Sequence, residues 1–292
     1  MTRLIPSVSS LLKQFDVFIL DQWGVLHNGT TAYPGAVSAM NALFAAERRV
    51  YVLSNSGKRA DVNLARIADK GLPVNGLHRV VTSGEALWED LRDGRLQIGG
   101  VVPQRLHVLC GQPDDAAAWR ADAAKFELVA GIDETVDAVL LMGVADGIAL
   151  SDYDDLLATA RRFQLPLICS NPDRQSPRPG GLVISPGALA DRYQSLGGQV
   201  IWYGKPEPAV FETVLRDCRD VPRDRILMVG DSLEHDIAGA QRVGVPSLFV
   251  RGGLHEAQFP PNADEAAIAA TIDRLQDSRH AARPDFSIHF FC

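Results

Sequence analysis

The chain has 292 residues, of which 46% are hydrophobic and 22% are charged, and its formal net charge is −7. This composition is typical of a globular protein, and the length allows one large domain or two modest ones. The acidic balance disfavours a partner such as nucleic acid or an anionic membrane, because both favour basic surfaces. A small anionic substrate is still compatible with it.

The cysteines and the N-terminal segment indicate the cellular compartment in which the protein is expected. The four cysteines form no C-x-x-C pair, so we expect reduced, buried thiols and neither a zinc site nor a redox motif. The segment MTRLIPSVSSLLKQ lacks the apolar run of a signal peptide, and no stretch has the length needed to span a bilayer. These features predict a cytoplasmic protein.

Short apolar runs alternate with helical patterns along the chain, which is typical of buried parallel strands in βα units. The fold class predicted from them is therefore α/β. Their number exceeds one compact sheet, so we expect a second α/β layer in the middle of the chain. The runs are FDVFIL (15–20), RVYVLS (49–54), HRVVTS (78–83), RLHVLC (105–110), DAVLLMG (137–143), LPLICS (165–170), QVIWYG (199–204), RILMVG (225–230) and PSLFV (246–250).

Three stretches lie outside this alternation. Residues 93–104 are rich in Gly and turn formers, which indicates a hinge. Residues 172–187 are rich in Pro, Gly and Ser, which predicts an irregular loop. After about residue 259, the sequence predicts one helix followed by a tail without a recognisable motif.

Polar side chains follow several of the apolar runs directly. Asp21 ends the first run, and Ser54 and Asn55 end the second and are expected to open a helix. Ligands of open α/β sheets bind at the carboxyl ends of the strands, and a helix N-terminus favours an anion such as phosphate. Taken singly, each residue is more simply explained as a strand end or a helix cap.

The second half of the chain adds a lysine and two acids. Lys205 follows QVIWYG, and Pro206 and Pro208 then predict a helix start. Asp231 follows RILMVG, and Asp236 lies five residues further on. Carboxylates at one strand end can bind a hard cation, and a lysine there can bind a phosphoryl oxygen. Because all these groups lie at carboxyl strand ends, we expect them to converge on one point.

The ordered set resembles the four motifs of the HAD superfamily of aspartate-based phosphatases. DQWGVLHNGTTAYPGA resembles the first motif and its flap, LSNSGK the second, YGKPEP the third and GDSLEHDI the fourth. The stretch SNPDRQSPRPGGLVISPGAL resembles a cap segment of class IIA members, such as nucleotide-sugar and pyridoxal-phosphate phosphatases. The resemblance implies a Rossmann-like parallel-sheet core, at 1–96 and 200–292, with an inserted α/β cap domain at 97–199.

The resemblance also implies roles for individual residues. Asp21 would attack phosphorus and form an aspartyl-phosphate, while Ser54 and Lys205 would bind the phosphoryl oxygens and Lys205 would restrain Asp21. Substrate contacts are expected from Ser54, Asn55, Ser56, Asp173 and Lys205. An Asn-Pro-Asp segment such as that ending at Asp173 is equally well explained as a turn.

A metal site is implied in the same way. The ligands of a Mg²⁺ cofactor would be Asp21, the backbone carbonyl of Trp23 and Asp231. Asp236 would support these ligands without binding the ion itself, or would bind the ion through a water molecule. Such an ion neutralises charge and aligns the in-line displacement.

The first motif departs from the family pattern at Trp23. Family phosphatases usually have a second Asp there, which protonates the leaving oxygen and then activates water. Indole cannot do this, and a placed acid or base contributes about 10²–10⁴-fold. Three outcomes stay open: another residue supplies the proton, the leaving group is a good one, or turnover is poor. His27 is a candidate substitute because its pKa range suits the task, and a solvated flap histidine is the simpler explanation. In the second motif, Ser56 stands where an Asn is common.

The sequence therefore predicts a Mg²⁺-dependent HAD-type phosphatase that acts on a small phosphorylated metabolite, a sugar phosphate or similar, with low activity as one outcome. The alternative is a catalytically feeble protein that binds a phosphorylated ligand. Dehalogenation is disfavoured because Asp231 and Asp236 of the metal site are retained. A P-loop protein is disfavoured because SNSGKR lacks the leading Gly, which is Val52 here. A homodimer is expected only by analogy with the class.

Overall fold

The computed structural model of the protein describes residues 2–120, 125–145, 147–178, 181–260, 262–279, 281 and 283–292. Its strands, in chain order, are β1 (Arg3–Leu4), β2 (Val17–Asp21), β3 (Arg49–Ser54), β4 (Arg79–Thr82), β5 (Arg105–Leu109), β6 (Glu127–Val129), β7 (Ala138–Leu141), β8 (Leu167–Cys169), β9 (Gln175–Arg178), β10 (Gly181–Ile184), β11 (Val200–Trp202), β12 (Ile226–Gly230), β13 (Ser247–Val250) and β14 (Phe286–Ile288). All nine apolar runs of the sequence contain a strand, which confirms the α/β prediction.

The helices connect these strands. They are α1 (Ala36–Ala45), α2 (Ala60–Ala68), α3 (Ser83–Arg92), α4 (Pro113–Arg120), α5 (Asp154–Arg162), α6 (Pro186–Ser195), α7 (Pro208–Asp217), α8 (Ala238–Arg242) and α9 (Glu265–Arg279). The chain divides into two compact units, one of residues 1–54, 61–81 and 205–292, the other of residues 55–60 and 82–204. Within the described residues we find no helix whose length and apolarity would suit a bilayer crossing.

The first unit is built on a seven-stranded sheet in the order β1-β14-β13-β12-β2-β3-β4, counted over the described residues. The registered pairs from β1 to β3 are all parallel. Every residue of the two central strands β2 and β12 is buried, as expected for strands covered on both faces. This explains why their sequences are continuous apolar runs rather than alternating ones.

The connections of this sheet create a crevice beside β2. From β2 the chain crosses through α1 to β3, while β12 pairs with the opposite edge of β2. At such a reversal of strand order, the loops at the carboxyl ends of the strands separate and leave room for a ligand. Asp21 is the last residue of β2, and Asp231 follows the end of β12, so both lie at this crevice.

The second unit has its own five-stranded sheet, in the order β11-β8-β7-β5-β6 over the described residues, with parallel pairs throughout. Its core packs α5 and α6 against the sheet, with Leu157, Leu189 and Tyr193 wholly buried. The expected second α/β layer is confirmed by this sheet.

One loop prediction in the second unit is wrong. Residues 172–187 were expected to be irregular, but β9 and β10 form an antiparallel pair there and α6 begins at Pro186. The four prolines and three glycines of this stretch obscure the strands, because such residues usually mark turns. Two strands that pair only with each other tolerate these residues more easily than a central strand does.

The boundaries of the second unit also differ from the predicted cap. The prediction was 97–199, whereas the long segment of the unit runs over 82–204 and therefore includes α3 and β11. The reason is packing: Trp88 of α3 donates its indole N–H to the Trp119 carbonyl at 3.3 Å, and Tyr203 donates to Asp90 of α3 at 3.0 Å. The division into a catalytic core and a cap domain, as functional parts, stays a prediction.

The C-terminal region contains a helix that the sequence predicts and a strand that it does not. The expected helix is confirmed as α9. The tail, in which the sequence shows no recognisable motif, contains β14, which pairs in parallel with β13 on one side and with β1 on the other. Its apolar residues, Phe286 and Ile288, are buried, so the tail extends the sheet of the first unit.

Candidate active site

A buried ion-pair cluster lies at the carboxyl end of β2. Asp21 is 7% exposed, and its Oδ1 atom accepts a hydrogen bond from Nζ of Lys205. The same Nζ lies 2.7 Å from Oδ1 of Asp236. Lys205 thus bridges two carboxylates that are 184 and 31 positions away along the chain, which is the convergence that the strand-end pattern predicts.

The acids of the fourth motif are held by backbone donors. Asp231 follows β12, and the Leu254 N–H donates to its Oδ2 atom at 2.7 Å. Asp236 lies in a short π-helical turn, Leu233–Ile237, and accepts from the Ser232 N–H at 3.0 Å. One carboxylate oxygen from each of Asp21, Asp231 and Asp236 lies within 4.8 Å of the other two.

Two glycines let the backbone approach Asp231. A Cβ atom on Gly24 would lie 1.7 Å from Asp231 Oδ2, and one on Gly253 would lie 2.3 Å from it. Gly24 also has φ +88°, which side chains rarely adopt. The sequence interpretation missed Gly24, Gly253 and the donor Leu254. The signals were the Gly directly after Trp23 and the Gly-Gly pair shortly after β13, since both interrupt strand ends.

The charges of this cluster do not balance. Three carboxylates face one lysine, which leaves a formal charge of −2 in a buried site. Burial raises the pKa of Asp21 to about 7, with Asp236 adding to the rise and Lys205 opposing it. Burial also raises the pKa of Asp231, with further contributions from Asp21 and Asp236. For Lys205, burial acts to lower the pKa, but the two neighbouring acids raise it overall.

A divalent cation fits this donor set. It would cancel the two uncompensated charges, and carboxylate oxygens are the ligands that hard cations such as Mg²⁺ prefer. Burial above all, and the neighbouring carboxylates in addition, raise the pKa values of Asp21 and Asp231, and a bound cation would favour the charged form of both acids.

The second motif departs from the prediction. Ser54 ends β3 at intermediate exposure, but α2 begins only at Ala60, so Ser54 and Asn55 do not open a helix. Instead, Ser56 Oγ accepts from the Lys58 N–H at 3.3 Å, a local turn that competes with helix. The predicted helix start at these two residues is therefore wrong, while phosphate binding at Ser54 stays a prediction.

In the second unit, the structure brings two predicted substrate residues together. Asn55 donates from Nδ2 to Asp173 Oδ1 at 2.9 Å. The Asp173 N–H in turn donates to Asn171 Oδ1 at 2.9 Å. Ser56 contributes its carbonyl, which accepts from the Gly84 N–H at 3.1 Å. Asn55, Ser56 and Asp173 belong to this unit, whereas Ser54 and Lys205 belong to the first.

The side chains of Trp23 and His27 differ in their exposure to solvent. Trp23 is 47% exposed, while His27 is 2% exposed. His27 Nδ1 accepts from the Gly29 N–H at 2.9 Å, and its Nε2 lies 3.1 Å from the Gln22 amide nitrogen. Burial, together with Lys70 and Arg66, lowers the pKa of His27 to about 4. The ring is therefore neutral at pH 7 with both nitrogens in contact, which does not support its role as a replacement acid.

Two family models match the chain over the regions that carry these motifs. The model described as haloacid dehalogenase-like hydrolase covers residues 18–121, which include Asp21 and Ser54. The model described as HAD-hydrolase-like covers residues 202–278, which include Lys205 and Asp231.

Known proteins resemble the whole chain. Chronophin from Rattus norvegicus is 30% identical over 86% of this chain and 82% of its own length. A crystal structure of a haloacid dehalogenase-like hydrolase from Brucella suis 1330 is 29% identical, with a TM-score of 0.75 over 99% of this chain and 100% of that one. The chain belongs to the haloacid dehalogenase-like hydrolases, in class IIA.

A metal-bound relative is also similar. The crystal structure of glycerol phosphate phosphatase from Mycobacterium tuberculosis in complex with calcium is 25% identical, with a TM-score of 0.66 over 84% of this chain and 68% of that one. The same enzyme has been crystallised in complex with magnesium.

Proposed function

We propose that the protein is a Mg²⁺-dependent phosphatase that hydrolyses a small phosphorylated metabolite through an aspartyl-phosphate on Asp21. One observation carries this proposal: three buried carboxylates lie together at the carboxyl edge of the sheet, with one lysine that contacts two of them. A cluster with uncompensated negative charge destabilises a fold unless a cation offsets it, so such clusters are typical of functional sites.

Asp21 is the proposed nucleophile because it ends the central strand and is held from one side by Lys205. The lysine opposes the rise in the pKa of Asp21 and so favours the carboxylate that attacks phosphorus. Attack forms a bond from a carboxylate oxygen to phosphorus while the ester oxygen leaves with its electron pair. Water then attacks the aspartyl-phosphate and releases phosphate, which regenerates Asp21.

Mg²⁺ is the cofactor that the cluster fits. Its proposed ligands are Asp21, Asp231 and the backbone carbonyl of Trp23, with Asp236 as support. When bound, the ion supplies positive charge against the negative charge that gathers on the phosphoryl oxygens. The Gly24 and Gly253 backbones, which pack on Asp231, and the Leu254 N–H hold that carboxylate in place for the ion.

The substrate is proposed to be a small phosphorylated metabolite, with sugar phosphates as the first compounds to test. The support is the relative from Mycobacterium tuberculosis, which is named a glycerol phosphate phosphatase. Ser54 and Lys205 are proposed to bind the phosphoryl group, and Asn55, Ser56 and Asp173 the remainder of the substrate. The hydrogen bond from Asn55 to Asp173 supports a joint role for these two residues. A cytoplasmic location and a homodimer stay predictions.

Trp23 supports a second candidate function, a protein that binds a phosphorylated ligand and turns it over poorly. Its indole occupies the position where the family usually has an acid, and His27 is neutral and engaged. A missing acid–base group lowers the rate by about 10²–10⁴-fold, so slow turnover is compatible with an intact phosphate and metal site.

The experiment that tests both candidates is a phosphate-release assay on a panel of phosphate esters and an acyl phosphate, with Mg²⁺ or with EDTA, for wild type and Asp21→Asn. The phosphatase proposal predicts release that needs the metal and disappears in Asp21→Asn. Metal-dependent binding of these ligands without release from any of them would establish the binding protein instead. Release that persists in Asp21→Asn would contradict the proposed nucleophile.

A further inference from the structure

Two loops of the first unit flank the Asp231 carboxylate. The first loop, residues 22–35, follows β2 and contains Gly24, and the second loop, residues 251–254, follows β13. The Leu254 N–H of the second loop donates to Asp231 Oδ2 at 2.7 Å. A Cβ atom on Gly253 would lie 2.5 Å from the Gly24 carbonyl oxygen, so the two loops also lie against each other. The position of the Asp231 carboxylate therefore depends on both loops.

The side chain of Phe290 contacts both of these loops. Its ring packs on Gly252 of the second loop, where a Cβ atom would lie 2.3 Å from Phe290 Cε1. The ring also stacks on Tyr33 of the first loop, with a centroid distance of 5.7 Å and an interplanar angle of 29°. The Tyr33 N–H donates to the Leu26 carbonyl at 2.9 Å, which ties Tyr33 to the turn after Gly24. One aromatic ring thus lies between the two loops that hold Asp231.

The segment that carries Phe290 is itself fixed by the fold. Residues 289–292 follow β14, and the Gly252 N–H donates to the His289 carbonyl at 2.7 Å. The Val8 N–H donates to the Cys292 carbonyl at 2.8 Å, and Phe291 is wholly buried. Phe290 is therefore held on both sides along the chain, so its ring has little freedom to move away from the loops.

The neighbouring glycines of the second loop connect the ring to the metal site. Gly252 lies under Phe290, and Gly253 lies against Asp231, where a Cβ atom would be 2.3 Å from Oδ2. A displacement of Gly252 therefore reaches Gly253 through one peptide bond and the Leu254 N–H through the next. Mg²⁺ requires nearly ideal octahedral geometry, and groups that orient its ligands typically contribute about 10–100-fold to metal affinity. A small shift of this loop is thus expected to weaken cation binding.

We propose that Phe290 is a positioning residue of the metal site. Its ring, packed between Tyr33 and Gly252, holds the two loops in the arrangement in which Asp231 binds a divalent cation. The inference rests on the proposed function, because it requires that Mg²⁺ binds at Asp231. The competing explanation is that Phe290 only stabilises the fold, in which case its loss lowers stability without changing the affinity of the folded protein for the ion.

The test is the dissociation constant of Mg²⁺, measured by isothermal titration calorimetry on metal-free protein well below its unfolding temperature. Under these conditions the folded protein is what binds the ion. Phe290→Ala should raise the Kd about tenfold, because the two loops lose the ring between them. Phe290→Tyr retains a ring and should restore most of the affinity. A wild-type Kd in Phe290→Ala would overturn the proposal.

Phe15→Leu is the matched control for lost stability. Phe15 is a wholly buried aromatic residue of the same unit that contacts Phe18 and Phe286. It lies just before the start of β2, at the opposite end of that strand from Asp21. Phe15→Leu should lower the unfolding temperature and leave the Kd for Mg²⁺ at the wild-type value. If it raised the Kd as much as Phe290→Ala, the effect would be one of general stability and the proposal would be wrong.

Gly252→Ala tests the same contact with the ring retained. Gly252 has no positive φ, so the added methyl group acts chiefly by displacing the Phe290 ring. The Kd for Mg²⁺ should rise in Gly252→Ala. In the double variant with Phe290→Ala, the Kd should be close to that of Phe290→Ala alone, because there is no ring left to displace. An equal rise caused by Gly252→Ala with and without the ring would contradict the proposal.

Asp231→Asn distinguishes failure of this inference from failure of the proposed metal site. Mg²⁺ binding that is lost in Asp231→Asn and unchanged in Phe290→Ala defeats this inference alone. If the wild type does not bind Mg²⁺, or if Asp231→Asn binds it as tightly as the wild type, the proposed metal site is wrong and the inference falls with it. Binding that is lost in Asp231→Asn and weakened in Phe290→Ala, with Phe15→Leu unchanged, is the result that the proposal predicts.

Discussion

Both units bury carboxylates, but they neutralise them differently. In the second unit, Glu85 forms a two-point ion pair with Arg59, with distances of 2.7 and 3.2 Å. Asp90 accepts from Arg95 at 2.6 Å and from the Tyr203 hydroxyl at 3.0 Å. Glu85 thus has an arginine of its own, whereas Arg95 pairs with Asp93 as well as Asp90, and Arg92 also contacts Asp93, so that arginines match the acids there. In the first unit, by contrast, Asp21, Asp231 and Asp236 lie together beside one lysine, Lys205, which contacts Asp21 and Asp236.

This difference separates structural charges from functional ones. Both units are built on parallel sheets, so the fold alone does not mark a site. An acid with its own arginine holds parts of one unit together, as Glu85 of α3 does through Arg59 and the Ala60 N–H, which belong to the same unit. Acids that outnumber their cations instead raise one another's pKa and create a need for a metal ion.

The largest expected effect is on catalysis. Asp21→Asn should lower metal-dependent phosphate release by at least about 10³-fold, because it removes the proposed nucleophile. The folded protein should not become less stable without metal, since the change also removes one of three repelling carboxylates. Phosphate release and thermal unfolding of the same preparation check both parts. Loss of activity together with a large loss of stability would instead assign Asp21 a structural role.

The second prediction concerns the metal. Mg²⁺ at a hundredfold excess over its Kd should stabilise the wild type by about 3 kcal/mol, since it binds the folded state alone. Asp231→Asn should lose most of this gain, because Asp231 is a proposed ligand. Thermal unfolding with Mg²⁺ and with EDTA measures the difference. Glu85→Gln, which alters a paired acid of the second unit, is the control and should keep the full response to Mg²⁺.

The third prediction concerns the pH dependence of stability that comes from His27, whose pKa is shifted mainly by burial rather than by a shared charge. The pKa of His27 is lowered to about 4 from 6.5, so between these pH values the unfolded chain binds a proton that the folded chain does not. Stability from this group is therefore present above pH 6.5 and is lost as the pH falls towards 4, by on the order of 2 kcal/mol. His27→Gln should remove this part of the slope, with or without Mg²⁺. Urea unfolding over this pH range tests it, and an identical slope in the variant would contradict it.

The smallest expected effect is on the paired acid Asp90. Asp90→Asn weakens the bond to Arg95 and should lower the free energy of unfolding by about 1.5 kcal/mol, while phosphate release stays at the wild-type level. Denaturant unfolding and the phosphate-release assay measure the two quantities. If Asp90→Asn lost phosphate release to the same extent as Asp21→Asn, Asp90 would not be a purely structural acid, and the contrast drawn between the two units would be wrong.

The sequence predicts the central sheet and its acids well for a physical reason. Strands buried on both faces require continuous apolar runs, and a charged residue directly after such a run must lie at the strand end. Asp21, Lys205 and Asp231 were recognisable in this way, and Asp236 was recognised from its position five residues after Asp231. Their shared charge was not visible, because it depends on distances across 210 positions between Asp21 and Asp231.

Other features were set by contacts that no local pattern shows. The α2 helix begins late because Glu85, 25 positions away, accepts the Ala60 N–H, and the turn at Ser56 precedes it. The pair of Asn55 and Asp173 joins residues 118 positions apart. The tail strand β14 has an apolar pattern of only three residues, and it is stabilised by pairing with β13 and β1.

The central claim is that Asp21 carries the phosphoryl group during turnover. Borohydride reduction of enzyme quenched during reaction with a phosphate ester and Mg²⁺ converts an aspartyl-phosphate to homoserine, which peptide mass spectrometry locates by residue. The account predicts homoserine at position 21, dependent on both substrate and Mg²⁺. Turnover of the ester with homoserine at another position, or with no reduced residue at all, would contradict it.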